Sequence, residues 1–286
     1  MTKFSRILFA LSLAGLYLCA VSAQEKTSVP KILQIQREFL KPGKAGNVHE
    51  VKESAFIDAM TRAKWPTHYI GMTSLSGKSR ALFFTMYDSF EAWEKDGAAV
   101  QKNAALSSAL DRAYAADGEL QDSTDTGVFV FQEEMSLRPR PDLSVARFME
   151  ISAYHVKPGH NKEWMEAVKL VKAGYEKGVP DSHWGMFSQM YGGDGGTYLV
   201  LTSRKSLAEI DKGLLDDKQF VAAMGEDGMK KLSELVGACV ESSQHQLFAI
   251  NPHMSYASDE WIKASPDFWN VKPAAKAAVA PKKDKP

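Results

Sequence analysis

The sequence predicts an α+β protein made of two β-α-β-β-α-β units packed sheet to sheet, and three repeated frames predict it. Pro66-Thr67-His68-Tyr69-Ile70-Gly71-Met72 returns 114 residues later as Pro180-Asp181-Ser182-His183-Trp184-Gly185-Met186. Lys41-Pro42-Gly43 returns as Lys157-Pro158-Gly159 at an offset of 116, and Met135-Ser136 as Met254-Ser255 at 119. A nearly constant offset is the mark of a tandem duplication with small loop insertions.

Residues 1–23 precede the first unit and read as a secretory signal peptide. Lys3 and Arg6 supply the positive end, Ile7 to Leu18 the apolar run, and Val21-Ser22-Ala23 the small-residue cleavage site. The run is shorter than the roughly 20 residues that span a bilayer. Leu18 stands where a lipidation box around Cys19 needs a small residue. The expected mature chain is therefore secreted or periplasmic, cleaved after Ala23, with no membrane span. It keeps one cysteine, Cys239, so packing rather than an intrachain disulfide must hold it. Its 33 basic residues, the total of 35 less Lys3 and Arg6, nearly balance 35 acidic ones, which excludes a nucleic-acid footprint.

The first unit is expected over residues 24–137. Leu33, Ile35 and Phe39 alternate with Gln34, Gln36 and Glu38, giving a strand with one core face and one polar face. Val48, Val51, Ala55 and Ala59 then recur at helical spacing until Trp65-Pro66. Residues 67–75 and 81–87 read as a hairpin about Ser76-Gly77-Lys78. Ser89 caps a helix that breaks at Gly97 before an alanine-rich segment reaching Ala116, and Gly127 to Glu133 closes the unit as a strand. Residues 138–145, with Pro139 and Pro141, form an extended linker.

The second unit, 146–257, repeats this order. Arg147 to Val156 is its first strand, and Trp164, Ala167, Val171 and Tyr175 mark its first helix. The Pro180 block follows, then the glycine turn 192–196, a strand from Thr197 to Thr202, a helix opened by Ser206, and a last strand from Gln246 to Asn251. Residues 258–286 form an extension in which Trp261, Phe268 and Trp269 can dock. Past residue 271 the Ala/Lys/Pro composition cannot bury a core. That lysine-rich end reads as a solvated tail, or as one that adheres to an acidic envelope surface.

Units of this order, duplicated and marked by a lysine-proline-glycine turn after each first strand, resemble the ferredoxin-like dimeric α/β-barrel superfamily, here tandem-fused. The resemblance covers about residues 31–256 and is greatest to antibiotic-biosynthesis-type monooxygenases and to NIPSNAP-like and EthD-like proteins. It implies an intramolecular barrel. It leaves activity open, because that superfamily holds haem-degrading oxygenases, haem peroxidases, isomerases and cofactor-independent oxygenases. The asparagine, tryptophan and histidine of its haem-degrading members find no position-by-position match here. The cofactor is accordingly unknown, with none required or haem as the options.

Candidate chemistry falls mostly in the second unit. Tyr154 and His155 end its first strand where the first unit has Glu38 and Phe39, so His155 offers an imidazole as general base or haem ligand between sheet and helices. His183 aligns with Tyr69 and, as a strand neighbour of Trp184, should point to the opposite face. Trp184 and Met186, aligned with Ile70 and Met72, should lie under the helices, with Trp164 beside them as pocket wall. The candidate catalytic residues are thus His155, His183 and Tyr154, and the candidate ligand-pocket residues Trp184, Met186 and Trp164.

No metal site is expected. His160 and Glu163 read as solvated helix-start residues, and His245 and His253 flank the last strand without a ligand spacing. Two functions remain: a small monooxygenase-like oxidoreductase acting on an apolar aromatic compound, or a non-catalytic small-molecule-binding or structural envelope protein. Either would be a monomer or a homodimer.

Overall fold

The computed structural model describes residues 29–140 and 142–271. The expected signal peptide, with its expected cleavage point, and the residues after 271 lie outside the described residues. Eight strands form one closed antiparallel barrel: β1 (Ile32–Leu40), β2 (Tyr69–Ser74), β3 (Arg80–Tyr87), β4 (Gln121–Phe131), β5 (Phe148–Val156), β6 (Gly185–Tyr191), β7 (Thr197–Arg204) and β8 (Val240–Ile250). Around the barrel they run β1-β3-β2-β8-β5-β7-β6-β4. Each unit therefore keeps its own four-stranded sheet, and the units join at two seams, β2 with β8 and β4 with β6. This is the dimeric α/β-barrel architecture, made within one chain.

Closure abolishes free sheet edges, and the barrel interior is packed by side chains apart from a cavity of about 280 Å³ among Ile35, Arg37, Arg80, Ile151 and Leu199. Leu33, Ile35, Ile70, Met72, Phe84 and Phe129 of the first unit meet Met149, Ile151, Phe187, Leu201 and Phe248 of the second in one apolar cluster. The helices lie outside, on the strand faces opposite this core. In the first unit these are α1 (Asn47–Ala63), α2 (Phe90–Lys102) and α3 (Ala104–Asp117); in the second, α4 (Asn161–Gly178) and α5 (Ala208–Cys239). Among the described residues no helix is long and apolar enough to cross a membrane.

Several local expectations shift. Helix α2 runs through Gly97, and the break falls at Asn103, whose side chain caps α3 by accepting from Leu106 N–H. The matching break in α5 is Gly225, at φ 66°, a backbone angle that glycine adopts without steric cost. Strands β4 and β8 both begin earlier than the sequence pattern predicts, and β8 takes His245 into its middle. On α1 the buried side chains are His49, Glu53, Phe56 and Ala59, while Val48 is exposed. The apolar spacing therefore marks the helix correctly and its inward face wrongly.

The second unit's hairpin differs from its expected alignment by one residue. Ile70 pairs with Phe84 on β3, and Gly185 pairs with Leu201 on β7; Ile151 and Ile35 pair with Leu201 and Phe84 in turn. Ile70 is thus the counterpart of Gly185, and Tyr69 the counterpart of Trp184. A one-residue slip moves every side chain to the other face. Ile70 and Met72 point into the barrel, whereas Trp184 and Met186 point to the helices, although the repeated sequence frame places them in register.

The extension docks. After α6 (Asp259–Ala264) and α7 (Pro266–Trp269), Trp269 is buried in the barrel cluster and its indole N–H donates to Ser144 O at 2.6 Å.

Candidate functional site

The polar face of β1 does not meet solvent. Gln34, Gln36 and Glu38 form part of the wall of a cavity of about 390 Å³ between the first unit's sheet and its helices. Six aromatic side chains, Phe56, Trp65, Tyr69, Phe83, Tyr87 and Tyr114, line it as well. On another wall Asp96 accepts hydrogen bonds from Trp65 Nε1–H at 2.9 Å, Thr67 Oγ1–H at 2.6 Å and Tyr87 O–H at 3.2 Å.

Four ionisable groups converge behind this wall. His49 Nε2 lies 3.1 Å from Glu38 Oε2, 3.2 Å from Asp117 Oδ1 and 3.4 Å from Glu53 Oε1. None of the four side chains is more than 4% exposed. The local folds that assemble them are simple. Glu38 comes from the end of β1, His49 and Glu53 stand one turn apart on α1, and Asp117 is the last residue of α3. Glu38 and Glu53 open onto the cavity.

The cluster is electrostatically unusual. Burial opposes a charged His49, but hydrogen bonds to Asp117, Glu38 and Glu53 outweigh it and raise the pKa from 6.5 to about 11. Burial pushes Glu53 up to about 8, against the lowering effect of His49 and with the help of Glu38 and Asp117. At neutral pH the arrangement thus favours an imidazolium at His49 and a protonated carboxyl at Glu53. One Nε2–H cannot donate well to three oxygens, and Glu53 Oε1, Asp117 Oδ1 and His49 Nδ1 have no well-formed hydrogen bond. Tyr69 adds a fourth orphan: its hydroxyl is fully buried and unpartnered, and its pKa is raised well above 10 by burial and then by Glu53.

The expected site residues are brought together only in part. Tyr154, Trp164, Trp184 and Met186 do line one cavity, of about 410 Å³, between the second unit's sheet and helices. Tyr154 and Trp164 rings pack 5.4 Å apart there. His183 borders the same cavity as its neighbour Trp184, but it also lines a small cavity of about 50 Å³ on the barrel side with Met149, Gly185, Phe187 and Leu201, which Trp184 does not reach. Its ring lies against two backbone carbonyls, Nε2 at 3.1 Å from Ser203 O and Nδ1 at 3.3 Å from Asp181 O.

His155 is not between sheet and helices. It is in phase with Met149, Ile151 and Ala153, the barrel-facing residues of β5, and sits at the strand end against Thr197 Oγ1 at 3.3 Å and Glu241 Oε2 at 3.3 Å. Neither helix-side cavity includes it, so it does not supply a haem ligand to either. His160 and Glu163 are half exposed, as expected of helix-start residues.

The two units have diverged at equivalent places. Glu38 and Tyr154 each stand two residues before the end of their strand, just ahead of a matching register shift. His49 and Trp164 are the buried residues of the first turns of α1 and α4, and Glu53 and Val168 follow them by four. The second unit thus fills with Tyr154, Trp164 and Val168 the volume that the first unit gives to Glu38, His49 and Glu53. The sequence signal that could have found the site was His49-x-x-x-Glu53 on one helix face. It was obscured because Glu38 and Asp117 lie 11 residues before and 68 after His49.

Fold and site together define a single-chain α/β barrel with a buried histidine–carboxylate cluster opening onto an aromatic cavity. The chain matches no protein-family model and no curated protein. Solved structures with a similar course include a protein of Fusobacterium nucleatum subsp. nucleatum ATCC 25586 named for a suspected monooxygenase activity, at 10% identity and TM-score 0.49, covering 78% of this chain and 93% of that one. An anthrone oxidase-like protein gives 12% identity and TM-score 0.48, over 77% and 91%. Chlorite dismutase from Candidatus Nitrospira defluvii, in complex with imidazole, gives 9% identity and TM-score 0.43, over 83% and 96%. Such likenesses assign neither activity nor ligand to this chain.

Proposed function

We propose that this protein is a small oxidoreductase of the monooxygenase type whose reaction takes place in the first unit's cavity, on a compact aromatic compound. The observation that carries this reading is the coincidence, in one cavity, of aromatic rings with Glu53 and Tyr69, whose buried oxygens lack hydrogen-bond partners, and with Glu38, all backed by His49. Buried polar groups without partners are costly in a structure that needs them only for packing. Convergent polar groups in an apolar cavity, with perturbed pKa values, are the usual form of an active site.

The roles follow from position. Phe56, Trp65, Phe83 and Tyr114 would hold the ring by area and stacking. Asp96, already gripping three donors, would fix the walls. Glu53 lies on the cavity wall and would exchange a proton with a phenolic or enolic substrate, the fraction ionised near its pKa of about 8 acting as the base. Tyr69 O–H would donate to the substrate oxygen. The second unit's cavity, apolar where this one is charged, would then contribute packing or a second binding place rather than chemistry.

Export, expected from residues 1–23, belongs to the same reading, and N-terminal sequencing of the purified protein should begin at Gln24. The central test is oxygen consumption with a panel of phenols, naphthols and anthrones. Turnover of at least one compound is expected, reduced 100-fold or more in Glu53→Gln and unaffected in His155→Ala. Equal loss in both variants, or no loss in Glu53→Gln, would move the site elsewhere. Tight binding of an aromatic compound with no turnover would favour the non-catalytic binding function.

A further inference from the structure

We infer that Glu38, His49, Glu53 and Asp117 form a binding site for one divalent first-row transition-metal ion, with its open side on the cavity. The inference deepens the reading above and rests on the same cavity, but its central claim is about binding. Four donor atoms, three carboxylate oxygens and one imidazole nitrogen, lie within 4.8 Å of one another, all buried. Distances from Nε2 to the three oxygens are 3.1, 3.2 and 3.4 Å. Metal–ligand bonds of about 2.1 Å place neighbouring donors about 3.0 Å apart at octahedral angles and about 3.4 Å at tetrahedral ones. The imidazole nitrogen is therefore already at ligand-to-ligand spacing from each of the three oxygens, and all four donors fall within 4.8 Å of one another.

Two further observations separate this cluster from a mere crowd of acids. Glu53 Oε1 and Asp117 Oδ1 are buried with no well-formed hydrogen bond, although the same oxygens face His49 Nε2. Tyr69, from a different strand, brings a fully buried hydroxyl with no partner to the same cavity wall as Glu38 and Glu53. A cation at the centre would supply the missing partner to the carboxylates. A water or substrate oxygen on its open side would give Tyr69 an acceptor.

The donor set narrows the ion. An imidazole among carboxylates suits Mn²⁺, Fe²⁺ or Zn²⁺, while all-oxygen sites are the habit of Mg²⁺ and Ca²⁺, and soft ions want thiolates. Cys239, the thiol among the described residues, belongs to the apolar cluster of the other unit. His49 and Glu53 come from one helix turn in the i, i+4 relation that lets two ligands share one ion. Among the described residues the second unit, with Trp164 and Val168 at the matching places, offers no such cluster. One ion per chain is the expected stoichiometry.

The test is Mn²⁺ binding to the full mature chain after stripping with a chelator, followed by electron paramagnetic resonance and by the ¹⁴N modulation of the bound ion. One Mn²⁺ per chain with an imidazole nitrogen in its modulation pattern is expected, and Zn²⁺ should displace it. Asp117→Asn and Glu38→Gln should each weaken binding tenfold or more. Failure of the wild type to bind one equivalent, absence of the nitrogen signal, or unchanged affinity in both variants would overturn the inference. The wild-type nitrogen signal decides the question even where a variant fails to fold. Mn²⁺ binding without turnover sustains the metal site and sinks the enzyme reading; turnover by a chain that binds no Mn²⁺ sinks the metal site and sustains the enzyme reading.

Discussion

His49 and Glu53 stand one turn apart on α1, both turned inward, with His49 Nε2 3.4 Å from Glu53 Oε1 and both side chains almost wholly shielded from water. That relation fixes the helix's rotation on the sheet. It sets an ionic pair where a duplicated, otherwise apolar design has Trp164 and Val168.

Removing the imidazole should be strongly destabilising. In the metal-free protein His49→Ala leaves Glu38, Glu53 and Asp117 facing one another without a counter-charge, and breaking a buried ion pair from one side costs about 3–5 kcal/mol. Glu53→Gln keeps the shape and replaces a carboxyl already pushed up to about 8, so it should cost far less. Urea unfolding of the two variants checks the ordering; equal losses would contradict it.

Gly71 should not tolerate a side chain. It sits where β2 is crossed by the chain after β8: Gly71 N–H donates to Ser255 Oγ at 2.9 Å, and Asn251 N–H donates to Gly71 O at 2.9 Å. A methyl group there would overlap the Met254 carbonyl, which is backbone and cannot swing away. Gly71→Ala is expected to cost about 1–3 kcal/mol by overpacking. It should also displace Tyr69, two residues away, which thermal melts and tyrosine fluorescence together would register.

Trp269 should be a structural part of the barrel even though it lies beyond both units. Its ring joins the interior cluster and its N–H reaches Ser144 O, while Arg147 stacks 3.8 Å from the centre of the adjacent Phe268 ring. Trp269→Ala should destabilise by about 3–5 kcal/mol, as expected for a large buried aromatic. A chain ending at Ser258 should lose at least as much, and a melt unchanged by either would show the extension to be a passenger.

Acid should weaken the fold through His183. Burial, helped by Arg140 and Arg204, depresses its pKa below 6.5 despite the two carbonyls beside it. The unfolded chain takes up a proton near pH 6.5 that the native chain does not, so stability is full above that pH and falls as pH drops towards the native pKa. The slope contributed is at most about 1.4 kcal/mol per pH unit. Melts of wild type and His183→Gln between about pH 7.5 and pH 5.5 should diverge over this window. Parallel curves would remove His183 as the source.

How much was legible in the chain differs from level to level. The duplication, the element order and the alternation that sends Leu33 and Ile35 to a core are local or periodic properties, and the barrel follows from them because two half-covered sheets in one chain can cover each other. The docking of Trp261 and Trp269 was also foreseeable from apolar content in a polar extension. Finer features were less so. Val48 to Ala59 marked a helix, yet the buried face lies on His49 and Glu53, because apolar spacing cannot register charged groups that are buried among themselves.

The sequence by itself determined the two units, their order and the aromatic lining of the second unit's cavity, all of which depend on composition and on periods of 2, 3.6 and about 116 residues. Only the tertiary structure decided where the charges go. Glu38, His49, Glu53 and Asp117 become neighbours because β1, α1 and α3 pack on one another, and no periodicity links positions 38 and 117. The same holds for the register of β2 and β6: a single-residue slip, invisible in the repeated motif, turns Tyr69 towards the charged cavity and sends Ile70 into the barrel.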